Sequence, residues 1–178
     1  MGGALSGAGR GAGREGGSAL VGLGSNLGDR EGYLRRSLER LASEEGIEVV
    51  RVSRFIETEP VGGPPQGPFL NAAAELGTAL EPRALLDVLL RVEAELGRVR
   101  RGPNEPRTID LDLLLYDDRI VEEPGLVIPH PRMLGRAFVL EVLAEIAPGR
   151  RHPGSGRTVL EHWSELRRLG GTARSPQP

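Results

Sequence analysis

The segment Arg107-Thr108-Ile109-Asp110-Leu111-Asp112 sets two carboxylates two residues apart in an otherwise apolar run. On an extended strand alternate side chains point to opposite faces, so Ile109, Leu111 and Leu113 turn into a core while Asp110 and Asp112 stand side by side on the other face. Two such carboxylates repel each other unless a cation lies between them. Hard oxygen ligands with open positions suit Mg²⁺, which completes its shell from water and substrate phosphates. The spacing alone fits an edge strand with a solvated acidic face equally well. The arginines bear on that choice. Arg98, Arg100, Arg101 and Arg107 fall in the ten residues before the strand, and Arg132 and Arg136 follow near His130. Carboxylates for metal ions beside guanidiniums for phosphate is the combination that a nucleoside triphosphate requires. Any one of these arginines, Arg101 above all, is also accounted for as a solvated charge paired with Glu93, Glu95 or Glu105.

Composition narrows the chemistry further. All 23 cationic residues are arginine, which excludes a P-loop lysine and a lysine Schiff base. Anionic groups must therefore be held by planar guanidinium forks, which match phosphate oxygens. The chain has no cysteine, so thiol nucleophiles, disulfides and Cys-ligated metal centres are excluded. A net charge of −2 gives no basic field for nucleic acid or an anionic membrane. No apolar run reaches the roughly 18–20 residues of a membrane span, and the N-terminus lacks a signal-peptide core. A cytoplasmic protein that acts as a monomer, with neither nucleic acid nor membrane as partner, is expected.

The elements that must position these residues follow from pattern. The length of 178 residues predicts one domain, over residues 18–169, between a disordered Gly/Ala/Arg-rich lead-in at 1–17 and a disordered tail at 170–178. Aromatics are only 3%, so the core is built from Leu, Val, Ile and Ala. Ser18 to Gly24 predicts a first strand, and Asp29 caps a helix to about Ala42 with Tyr33, Leu34, Leu38 and Leu41 on one stripe. Ile47 to Thr58 predicts a second strand. Glu59 to Pro68 holds four prolines and three glycines, a long loop with a binding role. Phe69 to Leu76 is a third strand, Pro82 opens a helix that Gly97 closes, and Thr108 to Tyr116 is a fourth strand. Helices are predicted from Met133 to Ile146 and from Thr158 to Leu169. The order β-α-β-β-α-β describes an α+β, ferredoxin-like sandwich: an antiparallel sheet with helices on one face, plus C-terminal helices.

Two glycine motifs invite a dinucleotide reading. Gly11-Ala12-Gly13-Arg14-Glu15-Gly16 is a literal G-x-G-x-x-G, but no strand precedes it. Gly22-Leu23-Gly24-Ser25-Asn26-Leu27-Gly28 lies at a strand-to-helix turn, yet its third glycine is one residue late and the following strands pair antiparallel. A nicotinamide-dependent reductase is thereby weakened. A non-catalytic ferredoxin-like module for RNA would want exposed aromatics and a basic face where this central strand has aspartates.

Across roughly residues 18–168 the chain resembles the 6-hydroxymethyl-7,8-dihydropterin pyrophosphokinase family of folate biosynthesis. Arg107 to Leu114 is similar to that family's signature. Gly24-Ser25-Asn26-Leu27-Gly28, Glu57 to Gly62, Phe69-Leu70-Asn71-Ala72, Gly97 to Arg100, Ile128 to Pro131 and Arg136-Ala137-Phe138 match in the same order. The resemblance implies diphosphate transfer from ATP to the hydroxymethyl group of the pterin, with AMP released. It implies that Asp110 and Asp112 hold two Mg²⁺ ions against the ATP phosphates. Thr58, Val61, Phe69, Asn71 and Phe138 match the pterin pocket, where Phe69 stands in place of a tyrosine also seen. Arg98, Arg107, His130 and Arg136 match groups around the phosphates, with Arg98 and Arg107 catalytic, and Glu93 matches a position near the nucleotide. One departure is Asn104-Glu105, where relatives often carry an aromatic-glycine pair; it bears on how the preceding loop closes. The residues supply no evident general base.

Overall fold

The computed structural model describes residues 16–61, 63–99 and 105–170. The expectations for residues 1–15 and 171–178, and for Arg100, Arg101 and Asn104, lie outside the described residues. The elements run β1 Gly17–Ser25, α1 Arg30–Ala42, β2 Ile47–Val52, β3 Ile56–Thr58, β4 Phe69–Thr78, α2 Pro82–Glu95, β5 Asp110–Tyr116, β6 Val121–Glu123, β7 Leu126–Ile128, α3 Ala137–Ile146 and α4 Val159–Arg168. The main sheet has the order β2-β4-β1-β5, with every pair antiparallel and β3 continuing the edge on β4. This is the expected ferredoxin-like arrangement. The antiparallel pairing removes the parallel βαβ series that a dinucleotide fold would need.

Each strand divides its side chains between two cores. Ala19, Val21, Leu23, Ala72, Ala74, Leu76, Leu111 and Leu113 pack under α1 and α2. Leu20, Ala73, Leu114 and Leu115 pack instead with Val139, Leu140 and Leu143 of α3 and Val159 of α4. The C-terminal helices, whose side of the sheet no sequence signal fixed, therefore cover the face opposite α1 and α2. Burial of both faces explains why β1 reads as a nearly continuous apolar run.

Several boundaries differ from the sequence reading. β1 starts at Gly17, one residue into the presumed lead-in. The single strand expected over residues 47–58 is two, because Ser53 leaves the ladder to bracket Ala73: its N–H donates to Ala73 O and its Oγ accepts from Ala73 N, both at 2.9 Å. β5 begins at Asp110 and carries a bulge. Leu20 pairs with Leu115 while Val21 pairs with Leu113, so Leu114 is an extra residue and Leu114 and Leu115 share one face. The helix expected from Met133 starts only at Ala137. Residues 130–136 form turns pinned by the fully buried Met133, whose apolar side chain imitates a helical position. A short β6–β7 hairpin, turned by Glu123-Pro124-Gly125-Leu126, was not anticipated.

Leu140 is 1% exposed beneath the sheet. Leu140→Ala is expected to lower the unfolding free energy by about 2–5 kcal/mol in one cooperative urea transition. A change below about 1 kcal/mol would show that the α3–α4 layer is not part of the same core.

Candidate active site

The α3–α4 layer covers only part of its sheet face, and β1 leaves the remainder flat. Gly24 lies between Asn71 on β4 and Asp110 on β5; Gly22 lies between Ala73 and Asp112. A Cβ on Gly24 would sit 3.1 Å from Asn71 Oδ1, and one on Gly22 would sit 3.4 Å from Leu114. A side chain at Gly24 would thus enter the space between the amide and the carboxylates. These two glycines make a floor, not a phosphate loop.

Above that floor is a cavity of about 560 Å³ whose walls include Thr58, Val61, Phe69, Asn71 and Phe138. All five residues expected at a heterocycle pocket are therefore brought together. Asn71 is 5% exposed, and its Nδ2 donates to Thr58 Oγ1 at 2.8 Å. That bond orients the amide and leaves its remaining donor and its oxygen for a ligand edge. Arg107 lies 5.2 Å from the Phe69 ring centroid and Arg136 lies 6.0 Å from that of Phe138. The aromatic walls are thus tied to cations at the edge of the cavity.

The second cleft, of about 530 Å³, opens beyond β5. Leu86 and Leu90 of α2 and Leu126 and Val127 of the hairpin line its apolar end, while Glu93, Arg98 and His130 line its polar end. Arg107, Asp110, Asp112 and Arg132 border both clefts.

The carboxylates at this junction differ. Asp110 is clamped: Arg98 Nη1 lies 2.8 Å from Oδ1 and Arg107 Nη1 lies 2.9 Å from Oδ2. Among the described residues Asp112 has only long contacts, 3.5 Å to Arg136 Nη1 and 4.0 Å to His130 Nε2. Burial pushes the Asp112 carboxyl above its usual range and the charge of Asp110 adds to this, against the pull of His130, Arg136 and Arg132. Burial likewise pushes the His130 imidazole down, opposed by the attraction of Asp112. Glu93 is 2% exposed and supports the strand from behind. β5 is a sheet edge, so the Leu111 N–H has no strand partner on that side, and Glu93 Oε1 accepts it at 2.7 Å. Glu93 Oε2 lies 3.8 Å from Arg98 Nε, and Arg98 Nη1 also donates to Ile109 O at 2.7 Å. Glu93 and Arg98 therefore act on Asp110 through the backbone of β5 as well as facing the cleft.

The fit of a metal can be judged from these donors. Among the described residues no three His, Cys, Asp or Glu side chains converge as a cage. Two adjacent carboxylates, one of them held above its usual pKa range by its surroundings, fit a hard cation that takes most of its ligands from phosphate and water.

The sequence motif Gly24-Ser25-Asn26-Leu27-Gly28 had no assigned chemistry, and the structure supplies one. Asn26, 8% exposed, accepts the Arg107 N–H on Oδ1 at 2.8 Å and donates its own backbone N–H to Arg107 O at 3.1 Å. Its Nδ2 donates to Gln66 Oε1 at 2.7 Å and to Gly67 O at 3.2 Å. Arg30 adds a bond to Pro68 O at 2.7 Å and an ion pair with Glu57 at 2.8 Å. One buried amide thus clips the proline-rich loop to the segment that carries Arg107, while Val61, farther out on that loop, is 84% exposed.

A ferredoxin-like enzyme whose carboxylate–arginine strand divides a heterocycle cavity from a second cleft belongs among the phosphotransferases that join two small substrates. Residues 20–148 match the family profile of 7,8-dihydro-6-hydroxymethylpterin-pyrophosphokinase, and the chain belongs to that family. It is 48% identical over 128 residues to the 2-amino-4-hydroxy-6-hydroxymethyldihydropteridine pyrophosphokinase of Bacillus subtilis (strain 168), covering 72% of this chain and 77% of that one. Against the enzyme of the same name from Methylorubrum extorquens it is 48% identical over 148 residues, covering 83% and 92%. Among solved structures, Plasmodium falciparum HPPK-DHPS wild type with pterin and p-hydroxybenzoate superposes with a TM-score of 0.68 at 14% identity. That match covers 90% of this chain and 45% of the longer Plasmodium chain, and at this identity it bears on the fold alone. The family's reaction, pyrophosphoryl transfer from ATP to hydroxymethyldihydropterin in folate biosynthesis, is the reaction of this enzyme.

Asn26→Ala would leave the partly buried Arg107 amide without its acceptor, a loss of about 1–3 kcal/mol. Hydrogen exchange at the Arg107 amide is expected to accelerate about tenfold or more in this variant. Unchanged exchange would show that Asn26 does not hold that segment.

Proposed function

We propose that the 560 Å³ cavity holds the dihydropterin and that the cleft beyond β5 holds ATP, with transfer at the four residues bordering both. The observation that carries this reading is the position of Asp110 and Asp112, on the strand that separates two clefts of different lining. Phe69 and Phe138 offer faces for a planar ring, and the fixed Asn71 amide can pair with its amide-like edge. Thr58 orients that amide, and Val61 closes the outer side of the cavity. Leu86, Leu90, Leu126 and Val127 suit the base of a nucleotide, which places its phosphates toward Arg98, Arg107, His130 and Arg136.

The hydroxymethyl oxygen of the pterin attacks the β-phosphorus of ATP, and AMP departs with the oxygen that bridged its α- and β-phosphates. Positioning and charge carry this step, since the strand offers no evident general base. A pair of Mg²⁺ ions between Asp110, Asp112 and the triphosphate would supply neutralisation of charge on the phosphate oxygens. Arg98 and Arg107, which lie 2.8 and 2.9 Å from Asp110 oxygens, carry further guanidinium donors that suit phosphate oxygens. Glu93 keeps β5 in place meanwhile. We take a monomer as the working unit. No helix of the described residues is long and apolar enough to cross a membrane, and we place the enzyme in the cytoplasm.

Incubation with ATP, Mg²⁺ and the hydroxymethyl-dihydropterin is expected to yield AMP and the pterin diphosphate, with chelator abolishing turnover and added Mg²⁺ restoring it. Formation of ADP in place of AMP would refute the transfer proposed. Asp112→Ala is expected to lower kcat at least about 100-fold with the fold retained by circular dichroism; near-normal kcat would remove the carboxylate pair from the mechanism. Asn71→Ala is expected to weaken pterin binding by about 1–3 kcal/mol with ATP affinity unchanged, read by calorimetry. Equal loss for both ligands would misplace the pterin.

A further inference from the structure

Among the described residues four border both clefts, and only Arg132 of these has no role in the reading above. Its surroundings are unlike those of the other arginines. Arg98 and Arg107 each lie within 3 Å of an Asp110 oxygen, and Arg136 lies 3.5 Å from Asp112. The Arg132 side chain is exposed and makes no ion pair or hydrogen bond among the described residues. Its backbone is nonetheless fixed. The Arg132 N–H donates to His130 Nδ1 at 3.2 Å, the Met133 N–H donates to His130 O at 3.1 Å, and Met133 is fully buried. A tethered backbone therefore carries an uncommitted guanidinium at the mouth shared by the two clefts.

The charge balance there calls for an anion. The Arg132 charge reaches Asp112, His130 and Arg136 together. Asp112 is the carboxylate nearest Arg136, at a contact too long for a strong pair. Two guanidiniums held near each other with so weak a counter-charge are arranged for a multiply charged ligand.

We propose that Arg132 is a further catalytic residue, whose guanidinium binds the pyrophosphoryl group while it passes from ATP to the pterin. This rests on the placement of the two substrates given above. As the hydroxymethyl oxygen bonds to the β-phosphorus, the bond from that phosphorus to the bridging oxygen breaks. AMP keeps that oxygen with its electron pair, and the hydroxyl proton leaves to solvent. The moving diphosphate crosses from one cleft to the other, and among the described residues bordering both clefts Arg132 is the cation free to accompany it. The residues already engaged with Asp110 hold the triphosphate before transfer, whereas Arg132 acts on the group in transit.

The experiment compares Arg132→Ala and Arg132→Lys with the wild-type chain by rapid-quench single turnover and by calorimetry with inorganic pyrophosphate and with the pterin. For Arg132→Ala the single-turnover rate is expected to fall about 100-fold. Pyrophosphate affinity is expected to fall about tenfold, with pterin affinity unchanged. Arg132→Lys should recover part of both losses, because charge is kept but the planar fork is not. A purely structural role would lower thermal stability and pterin affinity together and would not respond to the lysine. Wild-type pyrophosphate affinity together with a wild-type single-turnover rate in Arg132→Ala would overturn the proposal. If the wild-type chain made no AMP but Arg132→Ala still lost pyrophosphate affinity, the assignment of Arg132 to diphosphate would stand and the placement of the substrates would fall.

Discussion

The repulsion between Asp110 and Asp112 is the constraint around which the rest of the site is arranged. A strand forces them onto one face because Leu111 and Leu113 must enter the core beneath α1 and α2. β5 is also a sheet edge, where a charged pair could be relieved by fraying of the strand. Glu93 prevents this by accepting the outward Leu111 N–H from a site only 2% exposed. Arg98 and Arg107 then neutralise Asp110, and Asp112 is left as the carboxylate whose charge is least compensated. Fold stability and ligand demand meet at one strand. The core fixes where the carboxylates point, and the carboxylates decide what must bind there.

The remainder of the architecture keeps two clefts on either side of that strand. Glycines at 22 and 24 hold the sheet face open, since a Cβ at either position would meet Leu114 or Asn71. The α3–α4 layer buries the rest of the face and delivers Phe138 and Arg136 from the start of α3. Asn26 joins the loop beside the heterocycle cavity to the segment bearing Arg107. A buried amide therefore ties the proline-rich loop to the segment whose Arg107 borders both clefts.

Much of this was legible in the sequence wherever the signal was local. The carboxylate spacing, the Asp29 cap, Pro82 opening α2 and the proline-rich loop depend on neighbours a few residues away. What escaped depended on distant partners. The bulge at Leu114 is hidden inside Leu113-Leu114-Leu115, because three identical apolar residues fit either face; only the partner β1 fixes which is extra. Ser53 reads as one more strand residue until its N–H is seen to donate to Ala73 O and its Oγ to accept from Ala73 N. Met133 fits a helical stripe, yet its burial anchors a turn. Asn26 lies in a recognisable motif, but its task is defined by Arg107, 81 residues away. The glycines at 22 and 24 invited a dinucleotide reading that their spacing did not support, and their use became visible only with Asn71 and Asp110 beside them.

The central claim is that Asp110 and Asp112 form a cation site completed by the nucleotide. Counting Mn²⁺ ions bound per chain by electron paramagnetic resonance, with a non-hydrolysable ATP analogue present and absent, tests it most directly. The account predicts two ions per chain with the analogue, weak binding without it, and loss of at least one ion in Asp110→Asn. The same stoichiometry in Asp110→Asn as in the wild-type chain, or tight binding that ignores the nucleotide, would contradict it.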